Sequence, residues 1–429
     1  MAEKVKAVKV IKLADPIEAS VDKATQKMII RSHELGVETI FDRAVNMKQC
    51  NIGLQGTCCK NCAMGPCRLP LPKAGIEGED TRKGLCGATA NTIAARNFSR
   101  MIAGGAAAHS DHGRSVAEVF YAAANKLTDD YKIKDPIKLL SIAPHYGVET
   151  KVEVDGEMVD RDIDEIAVEM ADVALAEWGK TGSTTLVPKR FPKVRYELWE
   201  KLGVLPRNID REIVDVMHRT HIGVDQDYKN LMKQGARCAL ADLSGSWLAT
   251  ELQDVLFGTP SPLISEANLG VMKADHVNII VHGHEPILSE MIVAASQSAE
   301  MHELAQKVGA KGIQLSGICC TANEVLQRHG VPNAGNFLQQ ELAIITGACD
   351  AMVVDVQCVF QNLANVAKCF HTKLITTHPM AKMEQSNVHH IEFDEHHAME
   401  DALRIVTMAV ENYKNRGAEV QIPPEKQTQ

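Results

Sequence analysis

Six cysteines fall between Cys50 and Cys86, in the run Cys50-x7-Cys58-Cys59-x2-Cys62-x4-Cys67-x18-Cys86. So many closely spaced thiols are not explained by packing, and they constrain this chain more than any other segment does. Six is two more than one four-coordinate site can use. Cys59, Cys62, Cys67 and Cys86 make a complete thiolate set with the short spacings that wrap an iron–sulfur cluster. Cys50 and Cys58 remain as a pair. Half a ligand set points to a second copy of the chain supplying the other half. The plainer alternative for the run is a zinc-binding loop.

Composition favours metal ligation over disulfides. Twelve cysteines in 429 residues lie far below the density of a stapled secreted scaffold. The start, MAEKVKAVKVIKLADP, sets lysines among valines without an apolar h-region, so no export signal is expected. Apolar stretches such as Ile292–Ala295 and Leu342–Ile345 fall far short of the ~18 residues of a membrane span. The expectation is a soluble, cytoplasmic protein whose thiols stay reduced. A net charge of −9 gives no basis for a nucleic-acid or anionic-membrane partner.

The pattern changes along the chain, and predicts an α-helical N-terminal domain (1–250, with the cysteine loop at 50–86) followed by a Rossmann-like α/β parallel-sheet domain (251–429). Asp15-Pro16-Ile17-Glu18 reads as a helix start, running to Gly36. Helices are predicted over Thr89–Ile102 and Arg114–Leu127, on either side of a Gly104-Gly105 break, then over Asp160–Trp178 and around Asp210–Met217 and Tyr228–Lys233. In the second half, strands at Val277–Val281, Gly312–Ile318, Ala351–Val356 and Lys373–Thr377 alternate with helices at Pro286–Val308, after Thr321, at Asn336–Thr346, Leu363–Phe370 and Glu395–Arg416. His282 and His284 follow the first of these strands, Cys319 and Cys320 the second, and Cys358 the third. Ligands of open α/β sheets bind outside the carboxyl ends of the strands. Three such ends, each delivering a histidine or cysteine, predict a second metal site there. The blander alternative makes Cys319 a core residue and His282 a buried structural histidine.

These motifs in order resemble the nickel-containing, anaerobic-type carbon monoxide dehydrogenases. The likeness is carried by CNIGLQGTCCKNCAMGPCRLP, KGLCGATANTIAARN, GGAAAHSDHGR, VNIIVHGHEPILSEMIVAA, GIQLSGICCTANEVL and GNFLQQELAIITGACDAMVVDVQC. The resemblance implies that Cys59, Cys62, Cys67 and Cys86 bind the family's B-cluster, a [4Fe-4S] relay. It makes Cys50 and Cys58 one subunit's share of a D-cluster bridging a homodimer. It implies that His284, Cys320 and Cys358 ligate a nickel–iron–sulfur C-cluster, with His109 as acid–base group and His112 next in a proton-transfer series. The implied reaction converts CO and water to CO2, two protons and two electrons, which leave for a ferredoxin-type acceptor.

Members of that family continue into a further α/β domain with three more C-cluster cysteines and a lysine. This sequence has no cysteine after Cys369. The expectation is therefore a fragment, a site completed by a second polypeptide, or a short form keeping only the electron-transfer clusters; acetyl-CoA synthase is a further candidate partner. A related hybrid-cluster reductase acting on hydroxylamine is the third alternative, and the cysteine spacing argues against it. Cys238, Cys349 and Cys369 match no cluster ligand.

Overall fold

The computed structural model describes residues 11–71, 80–222 and 224–428. They divide into two compact units, one of residues up to Met47 together with Pro260–Gln429, the other Lys48–Thr259. The sheet unit thus takes in the start of the chain as well as the segment from Pro260. The first 47 residues group with the sheet because their contacts are long-range: the Arg31 guanidinium donates to the Ile345 carbonyl (2.8 Å) and to the Gln421 side chain (2.7 Å).

In the sheet unit, eight strands are Glu266–Ala267 (β1), Val277–Gly283 (β2), Ile313–Ile318 (β3), Asn333–Gly335 (β4), Cys349–Val354 (β5), Lys373–Thr376 (β6), Val388–His390 (β7) and Gln427–Thr428 (β8). Their order is β7-β6-β5-β2-β3-β4-β1-β8. Every pair is parallel except β1 with β8. β2 and β5 are buried at every position, as strands covered on both faces must be, hence their near-continuous apolar runs. Chain order runs outward from β2 to β3 and β4, then returns to the other side of β2 with β5, β6 and β7. That is a doubly wound order, with its switch point between β2 and β5.

Several helices differ from expectation. The one predicted from Asp15 to Gly36 is two, Pro16–Ala19 and Lys23–Glu34, each with its own aspartate cap: Asp15 accepts from the Ile17 amide at 2.9 Å and Asp22 from Thr25 at 2.7 Å. Ser20, accepting from the Asp22 amide, supplies the local competition that ends the first. Pro286–Val308 likewise divides at Ser298, which caps Ala299–Lys307. The helix expected after Thr321 begins earlier, at Cys319, without the side-chain cap. Asn336–Thr346 shortens to Gln340–Ile345, Leu363–Phe370 to Leu363–Ala367, and Glu395–Arg416 to Ala398–Asn412 plus a single 3-10 turn.

The other unit is built on helices Ala90–Ala124, Ile163–Gly179, Ile209–Arg219 and Tyr228–Phe257. The Gly104-Gly105 break does not occur. Buried residues Ser99, Ala103, Ala106, Ser110, Gly113 and Ala117 keep one helical stripe running through it, packed on Tyr228–Phe257. That second helix runs 24 residues beyond Lys233, and its glycines are contact points: a Cβ on Gly113 would lie 3.2 Å from the Gly245 carbonyl.

Candidate functional site

The cysteine loop is assembled by short-range elements. Cys58–Cys59 pairs antiparallel with Cys67–Arg68, in register Cys59 to Cys67. Cys59, Cys62, Cys67 and Cys86 all line one enclosed pocket, closed by Ile93 and the buried Arg96. Donors point at the sulfurs: the Leu85 amide lies 3.4 Å from Cys67 Sγ, and Arg96 Nη1 3.7 Å from Cys86 Sγ. Burial pushes the Cys86 thiol up, yet its pKa is lowered on balance by the Ala88 amide and Arg96. Positive and N–H groups facing sulfur are what a thiolate cluster requires. A Cβ at Gly84 would come 3.3 Å from Cys67 Cβ, so the backbone is drawn close around this sulfur. The donor set and its surroundings suit a four-thiolate cluster.

Cys50 and Cys58 do not line that pocket. Cys50 is exposed, at the N-cap of Asn51–Leu54, where the amides of Gly53 and Ile52 hold its thiol below the usual range. The Cys58 carbonyl is anchored to the long helix by Asn97 Nδ2 at 2.9 Å. Beside Asn97 stand exposed Phe98 and Met101, and Leu54 near Cys50 is also exposed.

At the carboxyl edge of the sheet, His284 after β2, Cys319 and Cys320 after β3, and Cys358 after β5 line one cavity of about 570 Å³. Cys358 Sγ lies 4.0 Å from His284 Nε2. Burial first, then its thiol neighbours Cys358 and Cys320, push the Cys319 thiol up to about 12, and burial raises Cys320 as well. Thiols crowded this way favour a cation among them. His282 is different: it is fully buried within β2, bonded through Nε2 to Gln340 at 3.1 Å, and burial pulls its pKa down to about 4. Among the described residues no three His, Cys, Asp or Glu side chains are gathered as a single ion would gather them. The sheet-edge donors stand around a space.

Backbone conformation at this edge is unusual. Asn268, Cys319, Gln357 and Cys358 carry φ of 98°, 66°, 64° and 55°. Non-glycine residues held at positive φ concentrate where function requires them. Sequence reasoning missed the amide side chains around the cavity (Asn268, Asn323, Asn333, Asn336 and Gln339). It also missed Asp355, whose carboxylate burial pushes up to about 7 despite amide donors that oppose the shift.

His109 and His112 lie on Ala90–Ala124 in the other unit, with ring centroids 6.2 Å apart. His109 Nδ1 is 3.5 Å from Asp242 Oδ1, and that bond raises the His109 pKa above 6.5 despite partial burial. The raised value means that the cation is retained as pH rises through 6.5, and the stabilisation it brings is lost only above the folded value. An NMR titration is expected to find His109 changing charge above 6.5 in the native chain, and to return toward 6.5 in Asp242→Asn. An unchanged midpoint in that variant would contradict the pairing.

A profile of the Prismane/CO dehydrogenase family matches residues 57–423. Carbon monoxide dehydrogenase 1 of Methanosarcina acetivorans is 51% identical over 414 residues, covering 96% of this chain and 63% of that protein. Carbon monoxide dehydrogenase 1 of Carboxydothermus hydrogenoformans is 45% identical over 421 residues, covering 95% and 63%. A nickel-free, as-isolated crystal structure of carbon monoxide dehydrogenase from Thermococcus sp. AM4 superposes with a TM-score of 0.89 at 48% identity, covering 100% of this chain and 65% of that one. The chain therefore spans somewhat under two thirds of the length of these relatives.

Proposed function

The chain belongs to the Prismane/CO dehydrogenase family, and from that premise we propose that it oxidises carbon monoxide with water to carbon dioxide at the carboxyl edge of its sheet. The observation that carries the proposal is the convergence of His284, Cys320 and Cys358, from three strand ends, on one cavity beside the switch point. In this reading those three residues hold part of a nickel–iron–sulfur centre. When bound, that centre supplies a Lewis acid and an electron sink for the carbon.

The chain's own groups do the rest. His109, whose charge is tuned by Asp242, exchanges the protons released from water, and His112 continues the path. Cys59, Cys62, Cys67 and Cys86 hold a [4Fe-4S] cluster that carries electrons away. Cys50 and Cys58 share a further cluster with a second copy of the chain, and a ferredoxin-type protein accepts the electrons. The exposed apolar side chains of Leu54, Phe98 and Met101 beside that pair support a homodimer through this face. No helix of the described residues is long and apolar enough to cross a membrane; we propose a cytoplasmic location. A relative named carbon monoxide dehydrogenase/acetyl-CoA synthase subunit beta, from Moorella thermoacetica, makes a synthase a candidate partner.

The test is CO-dependent reduction of methyl viologen by the anaerobically purified chain, with nickel measured in the same sample. Turnover that requires CO and disappears in His284→Ala is expected. Iron–sulfur colour with neither nickel nor turnover would leave an electron-transfer protein in its place.

A further inference from the structure

We propose that Asp355 is the positioning residue of the sheet-edge centre, holding His284 and Cys358 at their working separation without itself touching the bound metal. The inference rests on the assignment of those two residues as ligands. It deepens that assignment by naming what sets their geometry.

Asp355 does not line the cavity; it is buried behind it, 3% exposed, just past the end of β5. Its carboxylate gathers donors from three separate segments. The His284 amide, from the turn after β2, donates to Oδ1 at 2.7 Å. The Val356 amide, on the chain leading to Cys358, donates to the same Oδ1. The Thr321 hydroxyl, in the helix that begins with Cys319 and Cys320, reaches Oδ2 at 3.4 Å. Asp355's own amide donates to the His282 carbonyl at 3.2 Å. One side chain thus ties together the segments that carry His284, Cys320 and Cys358, through two backbone amides and the Thr321 hydroxyl.

Two neighbouring features are explained by that knot. Gly283 has φ 142°, and a Cβ there would lie 1.7 Å from Asp355 Oδ1; only a bare backbone lets the carboxylate dock against the β2 end. Immediately after the docked residue, Gln357 and Cys358 adopt φ of 64° and 55°. Such conformations persist only where the surroundings over-determine them, and the bond to the Val356 amide is such a determinant. The outcome is the 4.0 Å separation of Cys358 Sγ and His284 Nε2. Groups that orient ligands in this way typically account for about 10–100-fold in metal affinity.

The experiment uses the full chain with the clusters of its N-terminal loop in place, titrated anaerobically with Co2+. Cobalt's sulfur charge-transfer and d–d bands report both affinity and the number of thiolate and imidazole ligands. Asp355→Asn keeps the size of the side chain but turns a donor toward backbone N–H groups. It is expected to weaken Co2+ binding by about 10–100-fold and to change the band pattern, while the absorbance of the loop clusters is unmoved. Thr321→Val, which removes one donor and adds no bulk, is expected to weaken binding several-fold with an unaltered melting temperature, and it decides the matter if Asp355→Asn does not fold. Wild-type affinity and bands in Thr321→Val, and in Asp355→Asn where that variant folds, would overturn the proposal, as would a wild-type chain that gives no cobalt–sulfur bands beyond those of its loop. A wild type that binds Co2+ as expected but never reduces viologen with CO would remove the proposed activity and leave the role of Asp355 intact.

Discussion

Cys67→Ser is expected to strip the N-terminal loop of its cluster, lowering iron and acid-labile sulfide by about four each per chain. The surroundings draw close around Cys67: the Leu85 amide faces its sulfur at 3.4 Å, and a Cβ on Gly84 would lie 3.3 Å from the Cys67 Cβ. Serine is smaller and fits the same space, so steric disruption is not the cause. What is lost is a polarizable thiolate, replaced by a hydroxyl that does not ionise near neutral pH. The enclosed pocket, lined by the other three cysteines and by Ile93, would then keep three ligands for a cage that needs four. Cys238→Ser is the matched control. That thiol is buried in the helix Tyr228–Phe257, where burial pushes it up to about 12, and it should leave iron content unchanged. Equal iron loss in both variants would contradict the four-ligand assignment.

Gly283→Ala is expected to destabilise the sheet unit by roughly 3 kcal/mol, the upper end of the usual overpacking cost, and to abolish metal binding at the sheet edge. Two penalties add. A φ of 142° lies outside what an L side chain adopts readily, and the new methyl would sit 1.7 Å from Asp355 Oδ1, on a carboxylate tied down by backbone amides. Relief requires moving the carboxylate, which would break its bonds to the His284 and Val356 amides. Gly104→Ala makes the contrast: nothing lies within 4 Å of its Cβ and it is a helix-interior position. That change should be neutral or stabilising by up to about 1 kcal/mol. Denaturant midpoints of the two variants measure the difference directly. Equal midpoints would show that the Gly283–Asp355 contact is not constraining.

How much of this was legible beforehand depends on the range of the forces involved. The strands at Val277, Gly312, Ala351 and Lys373 were readable because a sheet covered on both faces needs apolar, β-branched runs. The ligand-type residues after them were readable because the carboxyl edge of such a sheet is where ligands bind. Glycine misled in the helical half. Gly104 and Gly105 look like a break and lie within an unbroken helix, while Gly113, Gly235 and Gly245 in the same helix pair are close-approach points between helices. The grouping of the first 47 residues with the sheet could not be read locally, since it depends on Arg31 reaching Ile345 and Gln421. Asp355 was hidden for a related reason. In AMVVDVQC it looks like a polar interruption near a strand end, and only the fold brings the His284 amide and Thr321 to it. The asparagines of the cavity wall follow no periodic spacing at all.

In the proposed reading the early thiols carry iron–sulfur clusters, one of them shared between two copies of the chain. Native mass spectrometry of anaerobically prepared protein tests it most directly, because it reads assembly and metal content in one spectrum. The expected species is a dimer whose excess mass includes one iron–sulfide cage on each loop and a single cage common to both chains. A monomer whose only added mass is zinc would contradict it.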